Sequence, residues 1–278
     1  MIFDSFPLGP FVISIGGVFV LTGFFVASFF LIFTAFQKKL SVDFLSENFL
    51  IFAASALVAA RIGAVIKVHF SLLLQNADAN FFVKILEFVK YFFSIWRGAL
   101  DPFWCLAGGL AAFFALAILH KQPILKWLDV FALPVVLFLV FVQFGGFFSA
   151  WQYGKPVSEN FPIAISYDMQ NVRFSGMIHP VQIYSAIVFL GIFLFGLQTW
   201  KAHCIKRKSA WENGGFFGLI FFMVMVANGI LEFFRGNAVT IILENLRLPQ
   251  VSSFALAILA LFFLAFKTHE KHKVTKHF

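Results

Sequence analysis

The sequence predicts an all-α integral membrane protein. Of its 278 residues, 61% are hydrophobic and only 12% are charged, and the mean hydropathy is +0.91, which together exclude an ordinary soluble domain. Apolar runs close to the roughly 20 residues that cross a bilayer recur about seven times. None of these runs alternates apolar with polar residues, so we expect transmembrane helices rather than barrel strands.

The predicted spans follow one another with short connections, except for two longer segments. The first span is too long for a cleaved signal peptide and no basic region precedes it, so we expect it to stay in the membrane. No internal repeat or flexible linker is visible, which predicts a single membrane domain, 1–278. The spans are expected at 11–36, 50–68, 103–119, 125–148, 178–200, 215–234 and 251–266.

The distribution of basic residues predicts the orientation of the chain. Lysines and arginines are densest in the segments that would be cytoplasmic if the N-terminus lies outside, including Lys38, Lys39 and the basic tail 267–278. A cytoplasmic C-terminus follows. The net charge of +8 is explained by this topology and by attraction to anionic membrane lipid, and it gives no reason to expect a nucleic-acid partner.

Two segments, 69–102 and 149–177, are expected to lie on the outer face. Within the first, Lys84, Glu87 and Lys90 recur at helical spacing among apolar residues, a pattern typical of a helix lying in the membrane interface. The second carries Trp151 and Tyr153 between prolines and is expected to be an irregular loop with aromatic anchors. These segments place the functional side outside.

Small residues and cysteines support structural interpretations. Paired glycines such as Gly108-Gly109 and Gly145-Gly146 indicate close helix packing, with approach of a ligand to the backbone as the alternative. Cys105 and Cys204 are expected at opposite ends of spans, too far apart for a disulfide, and neither belongs to a metal-binding pair. The sequence predicts neither a metal nor a soluble cofactor.

Charged residues inside the spans are the first candidates for function. An arginine at mid-depth costs at least about 2.5 to 3.5 kcal/mol on insertion scales, so Arg61 needs compensation, either by a carboxylate or by a bound phosphate. Asn228, Glu232 and Arg235 share one face of the sixth span. The Glu232–Arg235 pair could lock two helices together or hold an anionic headgroup.

The stretch His179-Pro180-Val181-Gln182-Ile183-Tyr184 places an imidazole, an amide and a phenol at the edge of an apolar run. Pro180 suits the first turn of a helix, so Gln182 is expected in the opening turn, where the N–H groups favour an anion. The alternative is a capping histidine with Tyr184 as an ordinary interfacial anchor.

These stretches resemble conserved segments of the prolipoprotein diacylglyceryl transferases. Residues 179–184 resemble the family's HPxQLYE segment, and Leu231-Glu232-Phe233-Phe234-Arg235 resembles its VEFFR segment. Further similarities occur in the same order along the chain. They are Leu8-Gly9-Pro10, Ala60-Arg61-Ile62-Gly63, Trp96-Arg97-Gly98 and the stretch 129–134.

The resemblance implies an enzyme of the bacterial inner membrane that acts in lipoprotein biosynthesis. Its substrates would be phosphatidylglycerol and a preprolipoprotein signal peptide with a lipobox cysteine, and the diacylglyceryl group would move to the cysteine thiol. Such a reaction needs a base for the thiol and positive charge for the phosphate leaving group. The implied catalytic residues are His179 and Glu232, and the implied phospholipid-binding residues are Arg61, Gln143, Arg235, Gln182, Tyr184 and Gly154.

The sequence also departs from the family's pattern. In the family's RxGNFxNxExxG signature, the arginine reads Gln143 and the glutamate reads Trp151, while the last glycine is kept as Gly154. No histidine stands at the family's HGG segment, and the arginine before EFFR reads Asn228. The first hypothesis is therefore a divergent active transferase in which Arg61 and Arg235 hold the phosphate and His179 or Glu232 handles the proton.

Two alternatives remain open. One is a catalytically degenerate relative that binds lipid or lipoprotein precursor without turnover. The other is a small-molecule transporter, which would also explain intramembrane charges, although no inverted repeat or broken span is visible.

Overall fold

The computed structural model describes residues 5–8, 11–75, 81–94, 102–167, 172, 174, 176–206, 213–237, 241–242 and 246–275. Its architecture is helical, with two short β-hairpin pairings, which confirms the predicted all-α membrane fold. The helices are α1 (Ile15–Gln37), α2 (Asp43–Glu47), α3 (Phe49–Gln75), α4 (Phe81–Phe93), α5 (Pro102–Leu119), α6 (Ile124–Phe148), α7 (Val181–Lys206), α8 (Gly215–Leu231) and α9 (Leu248–Thr275).

Six helices of the described part are long and apolar enough to cross a membrane. They correspond to six of the expected spans. The remaining expected span, 103–119, appears as a shorter apolar helix over Trp104–Leu119, so the count of about seven stays a prediction, as does the orientation. The six are Ile15–Gln37, Phe49–Ile66, Ile124–Phe148, Val181–Ala202, Gly215–Phe234 and Leu248–Lys267.

The first helix begins later than the apolar run suggested. Strand β1 (Ser5–Leu8) pairs antiparallel with β2 (Phe11–Ser14), with Ser5 opposite Ser14. Apolar content alone does not distinguish such a strand from a helical turn. Helix α1 starts after Ser14, whose hydroxyl accepts a hydrogen bond from the Gly17 N–H at 3.3 Å and so caps the helix.

The chain divides into two compact units, Met1–Leu40 with Leu125–Phe278, and Ser41–Ile124. In the first unit, α1 and α6 approach closely where Gly16 faces Gly145. A Cβ atom on either glycine would lie 2.7 Å from the other's carbonyl oxygen, so only glycine permits this contact. The helix-packing interpretation of Gly145 is thus confirmed.

The buried carboxylate of Asp129 ties α6 to the start of α8. Its two oxygens accept hydrogen bonds from the Gly214 and Phe217 N–H groups, both at 2.8 Å. Such a carboxylate satisfies backbone donors that the first helical turn leaves unpaired. Asp129 therefore fixes one end of α8, whose other end carries Glu232.

The irregular loop predicted for 149–177 has a small core of its own, formed by Ala150, Tyr153, Tyr167 and Ile178. The Tyr167 hydroxyl donates to the Phe147 carbonyl at 2.7 Å, and burial raises the pKa of Tyr167. Ile178 forms isolated bridges with Pro156 and Ile165. These contacts hold the loop against the start of α7.

The second unit contains α2 to α5. Helices α3 and α5 pack closely, because a Cβ atom on Gly108 would lie 2.3 Å from Ala59 Cβ. The expected interfacial helix is present as α4, and Val83, Leu86 and Phe93 are exposed on it. Its location at a membrane surface stays a prediction.

Some sequence features lie outside the described residues. They are Gly9-Pro10, Trp96-Arg97-Gly98, the side chain of Cys204, part of each outer segment and the last residues of the basic tail. Cys105 is an unpaired thiol, as expected.

Candidate active site

His179 stands immediately before α7, which begins at Val181 after Pro180, so Gln182 lies in the opening turn as predicted. The His179 Nδ1 atom lies 3.2 Å from the Tyr184 hydroxyl, and the ring packs edge-on against Phe161 and Phe234. Burial lowers the pKa of His179 below its ordinary value of 6.5. The imidazole is therefore neutral at neutral pH and can accept a proton.

The loop after α6 passes between His179 and Arg235. Gly154 forms a β-bridge with Arg235. The carbonyl of the next residue, Lys155, accepts a hydrogen bond from the His179 N–H at 3.0 Å. The Lys155 N–H donates to the Phe234 carbonyl at 2.8 Å. A side chain at position 154 would not fit beside His179. A Cβ atom on Gly154 would lie 2.2 Å from the His179 carbonyl oxygen and 2.6 Å from His179 Cβ.

Gly154→Ala is therefore expected to push His179 and Arg235 apart and to lower activity strongly. Overpacking of this kind typically costs about 1 to 3 kcal/mol, and here the nearest atoms belong to backbone that cannot rotate away. Gly191→Ala in α7 is the matched control, because nothing lies within 4 Å of its added methyl group. Comparison of thermal stability and turnover in the two variants checks the prediction, and equal behaviour would contradict it.

A buried charge cluster occupies the end of α8. The α8 helix tightens into a 3-10 turn over Glu232–Phe234, and Arg235 follows it in extended conformation. Arg235 Nη1 donates to Glu232 Oε2 at 2.7 Å, and Nη2 donates to Asn228 Oδ1 at 3.3 Å. The three side chains meet as predicted, but Arg235 lies after the helical segment and not on a helix face.

A second arginine reaches the same carboxylate from the segment before α9. Arg247 Nε lies 3.1 Å from Glu232 Oε1, at an ion-pair distance without hydrogen-bond geometry. Burial lowers the pKa of Arg235 and nearby Arg247 adds to that shift, whereas Glu232 opposes it. The three contacting side chains carry two positive charges and one negative charge, so the cluster keeps a net positive charge.

Two buried polar atoms near the loop lack a protein partner in the described part of the chain. Gln182 Nε2 donates to the Trp151 carbonyl at 2.8 Å, but its Oε1 atom makes no hydrogen bond. Arg235 Nε likewise makes none. Because an unsatisfied buried polar group costs free energy, a donor and an acceptor left open here favour a ligand that carries both kinds of group.

Gln143 and Arg61 are the two remaining predicted site residues. Gln143 is buried within α6. Arg61 belongs to the second compact unit, where its Nε and Nη2 donate to the Phe92 and Ser94 carbonyls at 3.0 and 2.8 Å. These backbone acceptors at the end of α4 are a form of compensation that neither sequence alternative for Arg61 named.

Comparison with known proteins decides the family. The family described as prolipoprotein diacylglyceryl transferase matches residues 4–266. The chain belongs to the prolipoprotein diacylglyceryl transferase family. The resemblance predicted from the sequence motifs is thereby confirmed.

Similar proteins share the name phosphatidylglycerol–prolipoprotein diacylglyceryl transferase. The relative from Tropheryma whipplei strain TW08/27 is 23% identical over 235 residues, which cover 84% of this chain and 81% of that protein. The relative from Chloroherpeton thalassium is 26% identical, with 84% and 79% covered. The relative from Protochlamydia amoebophila is 30% identical over 152 residues, with 52% and 39% covered.

Membership of the prolipoprotein diacylglyceryl transferase family and the six apolar helices identify a multi-pass protein of the bacterial inner membrane. Within the described residues, no group of three or more His, Cys, Asp or Glu side chains could hold a metal ion.

Sequence reasoning missed Arg247 as a site residue, along with its neighbours Asn237 and Gln250. In the sequence, Arg247 was only one of several basic residues expected on the outer face. The available signal was its place directly before the last span, where an arginine beside an apolar helix needs a partner. No family motif marked it.

Proposed function

We propose that this protein transfers the diacylglyceryl group of phosphatidylglycerol to the thiol of a lipobox cysteine in a preprolipoprotein. The observation that carries the proposal is the net positive Glu232–Arg235–Arg247 cluster, joined to a neutral His179 by the Gly154 segment. The names of the relatives agree with it.

Arg235 is the proposed phosphate-binding residue. Its Nε atom is a buried donor that has no partner among the described residues, and guanidinium groups bind phosphate oxygens with strong charge-assisted hydrogen bonds. The free Gln182 Oε1 atom would accept a hydrogen bond from a hydroxyl of the glycerol headgroup. Phosphatidylglycerol offers both the phosphate and the hydroxyls.

An apolar groove between α7 and α8 is the proposed binding site of an acyl chain. It has a volume of about 370 Å³ and ends at Leu231, next to Glu232, so a lipid with its phosphate at Arg235 could extend its chain along the groove. The lining is almost entirely apolar. It includes Val188, Ile192, Phe222, Met223, Val226 and Ala227.

His179 is the proposed base. In the tautomer with the proton on Nδ1, the ring donates to the Tyr184 hydroxyl, and Nε2 accepts the proton of the cysteine thiol. The thiolate attacks the carbon of the diacylglycerol unit that is bonded to the phosphate oxygen. A C–S bond forms, the C–O bond breaks, and glycerol phosphate leaves with the negative charge stabilised by Arg235.

Glu232 serves in this proposal as the partner that orients the arginines. Both of its oxygens contact guanidinium nitrogens, so His179 is better placed than Glu232 to accept the thiol proton. The predicted role of Glu232 in proton transfer is replaced here by an electrostatic one.

The test is release of glycerol phosphate by purified protein in phosphatidylglycerol vesicles. We expect release only when a lipobox peptide with its cysteine is added, and none when serine replaces that cysteine. Phosphatidylethanolamine vesicles control for the headgroup. Release no higher than from boiled protein would show that the proposed activity is absent.

A further inference from the structure

Arg247 is a buried arginine whose side chain contacts several protein groups. Its side chain donates through Nη1 to the Arg235 carbonyl, and through Nη2 to the Asn237 carbonyl at 2.7 Å and the Asn237 side-chain oxygen at 3.1 Å. Its Nε contacts Glu232, and its own N–H donates to Gln250 Oε1 at 3.0 Å. Arg247 therefore holds Glu232, Arg235 and Asn237 together.

We propose that Arg247 is a positioning residue of the transfer site, which sets both the orientation and the charge of the phosphate-binding group. This inference rests on the proposed function. Arg247 contacts one carboxylate oxygen of Glu232, and Arg235 contacts the other. Arg247 also donates a hydrogen bond to the backbone carbonyl of Arg235. Arg235 is thus held at its guanidinium by Glu232 and at its backbone carbonyl by Arg247.

The charge of the cluster depends on Arg247. Glu232 and Arg235 alone would form a neutral pair, with little attraction for an anionic lipid. With Arg247 the cluster gains one positive charge in a buried setting, where electrostatic interactions are stronger than in water. Arg247 therefore acts on phosphate through Arg235 without touching it.

Asn228 offers an independent check of this role. It lies one helical turn before Glu232, and its Oδ1 contacts Arg235 Nη2 at 3.3 Å. An arginine at 228 would bring a second guanidinium to the same cluster from within α8. If the site needs the second positive charge beside Glu232, that charge could come from either position.

The experiment measures phosphatidylglycerol binding and transfer kinetics for Arg247→Gln, Arg247→Lys and the double variant Asn228→Arg/Arg247→Gln. We expect Arg247→Gln to weaken binding and raise KM about 10- to 100-fold, the usual scale for loss of one charged hydrogen-bonding partner. Arg247→Lys keeps the charge and should lose less. Lys201→Gln, exposed at the far end of α7, is the control.

The double variant separates positioning from a purely structural role. We expect Asn228→Arg to restore much of the phosphatidylglycerol affinity lost in Arg247→Gln. If Arg247 had only a structural role, Arg247→Gln would lower thermal stability and leave KM unchanged in the folded fraction. Adding Asn228→Arg would then restore nothing. Wild-type affinity in Arg247→Gln overturns the inference. If Arg247→Gln does not fold, a folded double variant Asn228→Arg/Arg247→Gln that fails to bind phosphatidylglycerol overturns it.

Direct lipid binding keeps this inference distinct from the proposed function. If the wild-type protein transfers nothing but loses phosphatidylglycerol binding on Arg247→Gln, the proposed activity fails and the positioning role stands. If the wild-type protein is active and Arg247→Gln binds and turns over normally, the positioning role fails and the activity stands.

Discussion

Glu232→Gln is expected to abolish transfer and to destabilise the C-terminal end of α8. The substitution leaves Arg235 and Arg247 buried side by side without the carboxylate that both contact. Removing one partner of a buried ionic group costs about 3 to 5 kcal/mol, which corresponds to a loss of roughly a hundredfold or more. Turnover and thermal unfolding in detergent measure the two effects.

The matched control is Glu159→Gln in the loop after α6, since Glu159 is exposed. We expect it to behave like the wild-type protein, because substitutions of exposed residues change stability little. If Glu232→Gln kept wild-type turnover and stability, the shared carboxylate could not be the organising group of the site.

His179→Gln is expected to lower the rate of transfer by about 10²- to 10⁴-fold, the usual contribution of a positioned general base. It should leave phosphatidylglycerol binding much less affected, because the phosphate is assigned to Arg235. His120→Gln is the control, as His120 is exposed and belongs to the other compact unit. The rate of a single turnover at saturating lipid isolates the chemical step.

The pH profile gives the same assignment a second test. Burial lowers the pKa of His179, so the neutral base is present above that pKa and is lost as the pH falls through it. Wild-type transfer should be level near neutral pH and fall only below about pH 6.5, the ordinary histidine value. The pH profile of His179→Gln should lack this fall in rate at acidic pH. If the variant keeps the fall unchanged, another group causes it.

The helices could be predicted because few backbone conformations satisfy their own hydrogen bonds in lipid. Long apolar runs such as 125–148 and 215–234 must satisfy their backbone groups internally, and both form helices close to the expected bounds. The hairpin at residues 5–14 could not be predicted in this way, because β-pairing depends on a partner strand that composition does not show.

The site was predictable only where local spacing determines contact. Asn228 and Glu232 are one helical turn apart, and Arg235 follows Glu232 after a single 3-10 turn, so short sequence separation brings the three side chains together. Gly154 meets His179, and Arg247 meets Glu232, although 25 and 15 residues separate them along the chain. Such contacts depend on tertiary folding, so neither Arg247 nor the backbone partners of Arg61 followed from the sequence.

The mass of the lipobox peptide after incubation with purified protein and phosphatidylglycerol tests the central claim most directly. The proposed mechanism predicts that the peptide gains one diacylglyceryl group, that fragmentation places it on the cysteine sulfur, and that His179→Gln and Glu232→Gln prevent the gain. Unmodified peptide from wild-type protein that still binds phosphatidylglycerol would contradict the mechanism and favour a relative that binds lipid without turnover.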